Sequence, residues 1–215
     1  MTLRGKFVVI EGIDGAGTTT QAARLADRLR SARVPVRLTR EPSDGPIGTL
    51  VRQVLTGRIV APNGKAPGWV TMALLFAADR MDHVEAEIVP FVASGGVVIS
   101  DRYDASSLGY QSVMSGTGGP DAVEWIRLLN RHVLRPDLTI VLDLAADAAA
   151  ERREGRGDAA QLYEQNEVQR ALVAFYRDLE RYVPHDRVAH VDAEGSVEEV
   201  YGRVVAAYDA AFEVR

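Results

Sequence analysis

A glycine-rich loop near the start of the chain has the residue types and spacing that bind a nucleoside triphosphate. After an apolar run at residues 7–10, residues 11–20 read Glu-Gly-Ile-Asp-Gly-Ala-Gly-Thr-Thr-Thr. They satisfy the phosphate-loop pattern G-x-x-x-x-G-K-[ST] at every fixed position except residue 18. In such a loop, backbone N–H groups surround the phosphate oxygens and the next helix directs its positive dipole end at them. The residues expected to bind the nucleotide are Gly12, Ile13, Asp14, Gly15, Ala16, Gly17, Thr18, Thr19 and Thr20.

Three side chains in this loop indicate which charges and ligands lie around the bound phosphates. Thr18 stands where the pattern has a lysine, so the loop lacks the mobile positive charge that normally reaches the β- and γ-phosphates. Thr19 follows with the hydroxyl that coordinates Mg²⁺ in such loops. Asp14 would repel a phosphate, and we expect its carboxylate to face a hydroxyl of a second ligand. The loop therefore predicts ATP and Mg²⁺ as cofactors and leaves open which group balances the phosphate charge.

A second group of chemically capable residues follows the third apolar run, at 97–100. Asp101 at the tip of a strand can hold Mg²⁺ or its waters, and Arg102 can bind a phosphate with two parallel hydrogen bonds. The alternative is a surface Asp–Arg pair that begins a helix. Spacings of three and four residues then bring polar side chains to neighbouring helix faces: Ser107, Tyr110 and Gln111. A glutamine there is suited to reading the edge of a base.

Two further helical segments carry candidate ligand contacts. Phe76 and Arg80 share one helix face with His83, which suggests a ring on which a base stacks beside an anion site. Core packing is the alternative for Phe76. Arg152 and Arg156 also share a face, and glycines flank the second, as expected of a lid that closes over a nucleotide. The alternative there is a solvated, charged helix end.

Composition narrows the class of protein. The chain has 215 residues, of which 47% are apolar, enough to build one domain with a substantial core. Its net charge of −5 argues against a nucleic-acid surface, which is basic. It has no cysteine, as suits a reducing cytoplasm, and no run near the roughly 20 apolar residues of a membrane span. We expect a soluble, cytoplasmic protein whose partners are small molecules.

Apolar runs alternate with amphipathic segments along the whole chain. This alternation predicts an α/β fold in which a five-stranded parallel sheet is flanked by helices, as one domain over 1–215 with a lid near 151–160. Ligands of such sheets bind at the carboxyl ends of the strands. Ser196 and Glu199 predict a capping box at the last helix. The predicted strands are 7–10, 36–39, 97–100, 139–142 and 188–191, and the predicted helices are 19–33, 48–55, 70–93, 122–132, 162–182 and 196–212.

Taken together, these residues resemble the thymidylate kinase family over nearly the whole chain. The resemblance rests on five ordered motifs: Glu-Gly-Ile-Asp-Gly-Ala-Gly at 11–17, Arg40-Glu41-Pro42 with Ile47-Gly48, Leu-Phe-Ala-Ala-Asp-Arg at 75–80, Asp101-Arg102-Tyr103 with Ser106, Tyr110 and Gln111, and the lid arginines Arg152 and Arg156. The resemblance implies a P-loop nucleoside monophosphate kinase fold. It also implies transfer of the ATP γ-phosphoryl group to thymidine monophosphate (dTMP), with Mg²⁺, in the synthesis of dTTP, by a homodimeric enzyme.

The family's roles carry over to an acceptor site made of phosphate, sugar and base contacts. These are Arg40 and Arg102 for the monophosphate, Asp14 and Tyr110 for the deoxyribose, and Phe76, Arg80 and Gln111 for thymine. Pro42 and Ser106 belong to the same motifs, Ser107 lies on the helix faces described above, and all three are expected to bind substrate as well. The catalytic residues implied are Asp14, Arg102, Arg152 and Arg156.

The chain departs from the family pattern at two places, and three readings follow. Thr18 replaces the loop lysine, and 160–162 read Ala-Gln-Leu where the family has Asp-Arg. Gly15 after the acid is similar to the bacterial arrangement, in which the lid supplies an arginine. One reading is an active kinase in which Arg152, Arg156 or Arg102 replaces the missing charge. The others are a nucleotide-binding protein with weak or no turnover, and a kinase for another nucleoside monophosphate.

Overall fold

Five parallel strands form one sheet, as the alternation of apolar runs predicts. The computed structural model describes residues 5–116, 120–154 and 166–212. The strands are β1 Lys6–Gly12, β2 Val36–Arg40, β3 Val97–Asp101, β4 Leu138–Asp143 and β5 Val188–Asp192, in the order β2-β3-β1-β4-β5. Strand β1 is central, and its Ile10 is in register with Asp101 of β3. The loop after β1 and the acidic tip of β3 therefore meet at one edge.

Helices connect the strands and cover both faces of the sheet. They are α1 Thr18–Ser31, α2 Pro46–Leu55, α3 Trp69–His83, α4 Val89–Ala93, α5 Asp104–Met114, α6 Pro120–Leu129, α7 Ala146–Glu154, α8 Asn166–Arg177, α9 Leu179–Tyr182 and α10 Val197–Phe212. The predicted capping box is confirmed at α10, where the Ser196 N–H and hydroxyl both donate to Glu199 and the Glu199 N–H donates to the Ser196 hydroxyl. The five strands are thus held in a three-layer α/β arrangement.

Two predicted helices are interrupted: the described part of 162–182 breaks at Asp178, between α8 and α9, and 70–93 breaks at a π-helical turn. A π-helical turn at Val84–Ile88 separates α3 from α4, and the Val89 N–H donates to the Val84 carbonyl five residues back. Pro90 follows immediately and has no N–H to continue the α-helical pattern. The interruption leaves α3, which carries Phe76 and Arg80, as a helix separate from α4.

Some predicted features lie outside the described residues. They include Arg156, the lid beyond residue 154 and the start of the predicted helix 162–182. Within the described part of the chain, no helix is long and apolar enough to cross a membrane.

Candidate active site

A cavity of about 330 Å³ opens at the carboxyl edge of the sheet, where the β1 loop, the β3 tip and helices α3 and α5 converge. Most of the candidate residues predicted from the sequence line it: Asp14, Gly15, Gly17, Thr18, Thr19, Thr20, Pro42, Phe76, Arg80, Arg102, Ser106, Ser107, Tyr110 and Gln111. Gly12, Ile13 and Ala16 do not line the cavity, and the last two are buried behind the loop. One concave site thus combines the phosphate loop with the predicted acceptor residues.

The glycines of the loop serve different purposes. Gly15 and Gly17 both have positive φ, 96° and 98°, which side chains other than glycine's rarely adopt. A Cβ on Gly15 would lie 2.5 Å from the Ala149 carbonyl oxygen and 3.2 Å from Cγ of Arg153, whereas a Cβ on Gly17 would have no described atom within 4 Å. The loop therefore packs directly against helix α7 at Gly15, and Gly17 lies open toward the cavity.

The two residues predicted to hold Mg²⁺ are in contact. The Thr19 hydroxyl donates to Asp101 Oδ2 at 2.5 Å, so both oxygens face one point at the start of α1. Asp101 Oδ1 is buried and has no hydrogen-bond partner among the described residues. A carboxylate oxygen left in this state is costly unless a cation or water binds it. The Thr19 hydroxyl and the Asp101 carboxylate are therefore a set of oxygen donors that fits Mg²⁺.

Arg102 connects the phosphate loop to the acceptor side of the cavity. Its guanidinium donates to the Gly12 carbonyl at 2.8 Å, to Asp14 Oδ1 at 2.7 Å and to the Ser106 hydroxyl at 3.2 Å. It also lies 5.4 Å from the centre of the Tyr110 ring. Its φ of 73° is unusual for a residue with a side chain, and residues in this state cluster at functional sites. This geometry aims an always-charged group between the loop and helix α5.

Asp14 is held by a residue that the sequence analysis missed. Gln169 is fully buried; its amide nitrogen donates to Asp14 Oδ2 at 2.9 Å, and its oxygen accepts the Asp14 N–H at 3.1 Å. The available signal was a buried-face position in α8, where Gln169 lies two turns before Tyr176 on the same side. The pairing leaves the Asp14 carboxylate oriented between Arg102 and Gln169.

The far end of the cavity is built around a buried arginine. Arg80 has no exposed surface, and its donors are engaged by Glu41, Asn130, Ser107 and the Tyr103 carbonyl. Glu41 is also 3.4 Å from His83. Because these partners are all protein groups, Arg80 forms a rigid, charge-compensated wall of the cavity.

Three residues around this wall suit a nucleoside. Phe76 offers a partly buried aromatic face, and Gln111 has a buried side-chain oxygen without a hydrogen-bond partner among the described residues. Burial raises the pKa of Tyr110, so its phenol remains a protonated donor at neutral pH. The site thus combines a stacking surface, an available acceptor for a base N–H and a bulky phenol near Asp14.

The remaining candidate arginines lie in different places. Arg40 is mostly exposed and pairs with Asp44 at 2.8 Å. Arg152 donates to the Ala193 carbonyl at 2.9 Å, away from the cavity. Arg153, which the sequence analysis did not select, lines the cavity and donates to the Asp14 carbonyl. Successive helical residues point about 100° apart, so only one of two neighbouring arginines on α7 can face the loop.

Comparisons with known proteins agree with the motifs. A family model described as thymidylate kinase matches residues 10–204. The chain is 40% identical to a probable thymidylate kinase of Pyrococcus abyssi, over 95% of this chain and 96% of that protein. It is 39% identical to a thymidylate kinase of Caulobacter vibrioides, over 92% of each. It is 42% identical to a thymidylate kinase of Symbiobacterium thermophilum, over 90% of this chain and 88% of that protein.

Proposed function

This chain belongs to the thymidylate kinase family, and we propose from that premise that it transfers the γ-phosphoryl group of ATP to dTMP. The observation that carries the proposal is that one cavity brings together the phosphate loop and the Arg102–Asp14 pair, while Asp101 contacts Thr19 of the cavity lining. Phosphoryl transfer depends on positioning and charge stabilisation far more than on proton transfer. Arg102, held between the regions proposed to bind the ATP phosphates and the dTMP phosphate, supplies both positioning and charge stabilisation.

In this proposal Thr19 and Asp101 hold Mg²⁺, whose chemistry is to neutralise charge on the transferred phosphate. Backbone N–H groups of the loop and the N-terminus of α1 bind the ATP phosphates. Arg102 binds the dTMP phosphate and lies where the two nucleotides approach. Asp14, fixed by Gln169, accepts a hydrogen bond from the sugar.

The acceptor specificity follows from the nucleoside end of the cavity. Phe76 stacks on thymine and the free oxygen of Gln111 accepts its ring N–H. The Tyr110 ring packs beside Arg102. In this proposal the ring crowds the sugar where a ribose 2′-hydroxyl would sit. We therefore propose deoxyribose and a thymine-type edge as the recognised features.

ADP release measures this function directly. With ATP, Mg²⁺ and dTMP we expect turnover by the purified chain, and none when dTMP is omitted. The alternative phosphoryl acceptors to compare with dTMP are deoxyuridine, deoxycytidine and deoxyguanosine monophosphates, together with thymidine. Binding of ATP and dTMP without ADP release would contradict the proposal, and faster turnover with another acceptor would change the substrate assignment.

We propose that Arg153 supplies the charge that Thr18 lacks. Of the lid arginines with described positions, Arg153 lines the cavity beside Gly15 and Arg152 turns toward Ala193. Arg153→Met should lower kcat roughly tenfold or more, the equivalent of one charge-assisted hydrogen bond. Thr18→Lys should raise kcat and should largely restore turnover to the Arg153→Met variant.

Single and double variants, assayed at saturating ATP and dTMP, separate these contributions. Arg152→Met is the matched control on the same helix, and Arg156→Met tests the remaining lid arginine. Equal losses in the Arg152 and Arg153 variants, or independent effects of Thr18→Lys and Arg153→Met, would rule out the replacement of one charge by the other.

We also propose that the enzyme is a cytoplasmic homodimer with a lid near 151–160. Support for the dimer comes from exposed apolar side chains on neighbouring helices, namely Val70 and Leu74 on α3 and Leu128 on α6. Sedimentation should give twice the chain mass of 23.4 kDa. A monomer at micromolar concentration would remove this part of the proposal.

A further inference from the structure

Glu11 is a fully buried acid at the end of β1 that the proposed transfer does not use. Its Oε1 accepts the N–H of Tyr103 at 2.8 Å and the N–H of Ser106 at 3.2 Å. These are N–H groups at the start of α5, and the N-cap residue Tyr103 makes no side-chain cap of its own. The first N–H groups of a helix need outside acceptors. Glu11 thus caps α5 from a different element of the fold.

The other carboxylate oxygen connects this cap to Arg102. Oε2 accepts the Ser106 hydroxyl at 2.7 Å and the Tyr176 phenol at 2.9 Å. The same Ser106 oxygen accepts a hydrogen bond from Arg102 Nη1 at 3.2 Å. A chain of hydrogen bonds therefore runs from the arginine through Ser106 to Glu11, and each bond polarises the next.

The cap also fixes the backbone that carries Arg102. Arg102 has the positive φ noted above, and a residue persists in that state only when its surroundings hold it there. Its carbonyl accepts the Ser100 hydroxyl at 2.7 Å, and the next N–H, that of Tyr103, is the one bound to Glu11. Removing the Glu11 acceptor frees one of these two restraints.

We propose that Glu11, as a carboxylate, is a positioning residue that caps helix α5 and holds Arg102 toward the phosphates through Ser106. This inference rests on the proposed kinase activity for its catalytic consequence. It predicts that exchanging the carboxylate for a neutral isostere disturbs Arg102 without removing any group that touches a nucleotide.

The ionisation of Glu11 supports this role. The carboxylate receives four donors, so each of its oxygens is fully engaged in the ionised form. Burial raises its pKa to about 7, against the opposing effects of Arg102, the Ser106 and Tyr176 hydroxyls and the Tyr103 N–H that face it. On protonation one oxygen becomes a donor, so at least one of the four hydrogen bonds to the carboxylate must reverse its direction or be lost.

Glu11→Gln tests the proposal because the amide keeps the size of the side chain and cannot ionise. We expect kcat to fall about tenfold. The wild-type kcat should decline below about pH 7, while the variant profile should lack this decline. The dTMP phosphate itself titrates near pH 6 in both proteins, so the comparison isolates Glu11. Identical profiles would overturn the proposal.

Thermal unfolding without ligands tests the ionisation of Glu11 independently of turnover. The native state holds the Glu11 proton up to about pH 7, whereas an unfolded carboxyl releases it near 4.5. The native state therefore loses stability as pH rises through this window, and the wild-type melting temperature should fall relative to that of Glu11→Gln. If no activity is found but this shift is present, the proposed function fails and the ionisation of Glu11 stands.

Tyr176→Phe is the second variant; it removes one hydroxyl from the carboxylate and leaves the direct hydrogen bonds of Arg102 in place. Losing one donor to the carboxylate raises the pKa of Glu11, so the acid decline in kcat should move to higher pH. An unmoved decline contradicts the proposal even if Glu11→Gln does not fold. Arg135→Ala is the control, since that arginine binds Asp104 at the same helix end outside this network.

Discussion

Replacing Arg102 by alanine is expected to lower kcat for phosphoryl transfer to dTMP by about a hundred- to a thousandfold, the usual effect of removing one preorganised donor. Its guanidinium joins the Gly12 carbonyl, Asp14 and Ser106, so it is fixed before substrate arrives. Thr18 in the phosphate loop is uncharged, so it cannot replace the positive charge of Arg102. The fall in kcat should therefore be larger than the fall caused by replacing any other single arginine at the site.

Two companion variants separate charge from geometry at this position. Arg102→Lys keeps the charge and loses the planar fork, and we expect it to recover only part of the rate. Arg135→Ala also removes an arginine next to α5, where it pairs with Asp104 and Asp186, and should leave kcat within a few-fold of wild type. Steady-state assays at saturating ATP and dTMP measure both.

Backbone strain predicts a further difference at the same residue. Because φ is 73°, Arg102→Gly should be more stable than Arg102→Ala by about 1 kcal/mol, although both lose the guanidinium. If the two variants have equal kcat and unequal stability, the loss of kcat comes from the missing guanidinium and the difference in stability comes from the backbone conformation. Retention of wild-type kcat in either variant would show that Arg102 does not stabilise the transferred phosphate.

The sequence was sufficient for the sheet and for the residues at its edge. Buried parallel strands read as apolar runs, and their carboxyl ends meet at one edge whatever the details of packing. Thr19 and Asp101, 82 positions apart, could therefore be placed together in advance. The structure adds their contact and an Asp101 Oδ1 without a hydrogen-bond partner among the described residues, which supports the proposal of a cation there.

Residues whose role depends on helix rotation or on distant partners were not predictable in this way. Gln169 donates a hydrogen bond to Asp14, 155 positions away, and nothing in its own segment reveals that partner. Arg152 and Arg153 have the same residue type and adjacent positions, so only the packing of α7 against Gly15 decides which one faces the cavity. The family pattern pointed to Arg152 because the spacing of residues in a sequence does not define how a helix is rotated about its own axis.

That packing makes Gly15 the most demanding position of the loop. Its φ of 96° and the 2.5 Å approach of the Ala149 carbonyl leave no room for a Cβ, so any side chain requires α7 to move. We expect Gly15→Ala to lose about 1–2 kcal/mol to backbone strain and about 1–3 kcal/mol to overpacking. A loss of this size is a large share of the stability of a typical domain.

Gly17→Ala is the matched control, since it imposes the same backbone conformation, φ 98°, with no described atom within 4 Å of the new methyl group. Thermal unfolding without ligand should show Gly15→Ala melting well below Gly17→Ala, by about 2–4 °C for each kcal/mol of the difference. Because displaced α7 carries Arg153, Gly15→Ala should also lose the rate that Arg153 contributes. Equal melting temperatures in the two variants would mean that α7 does not rest on the loop, and the assignment of Arg153 would fall with it.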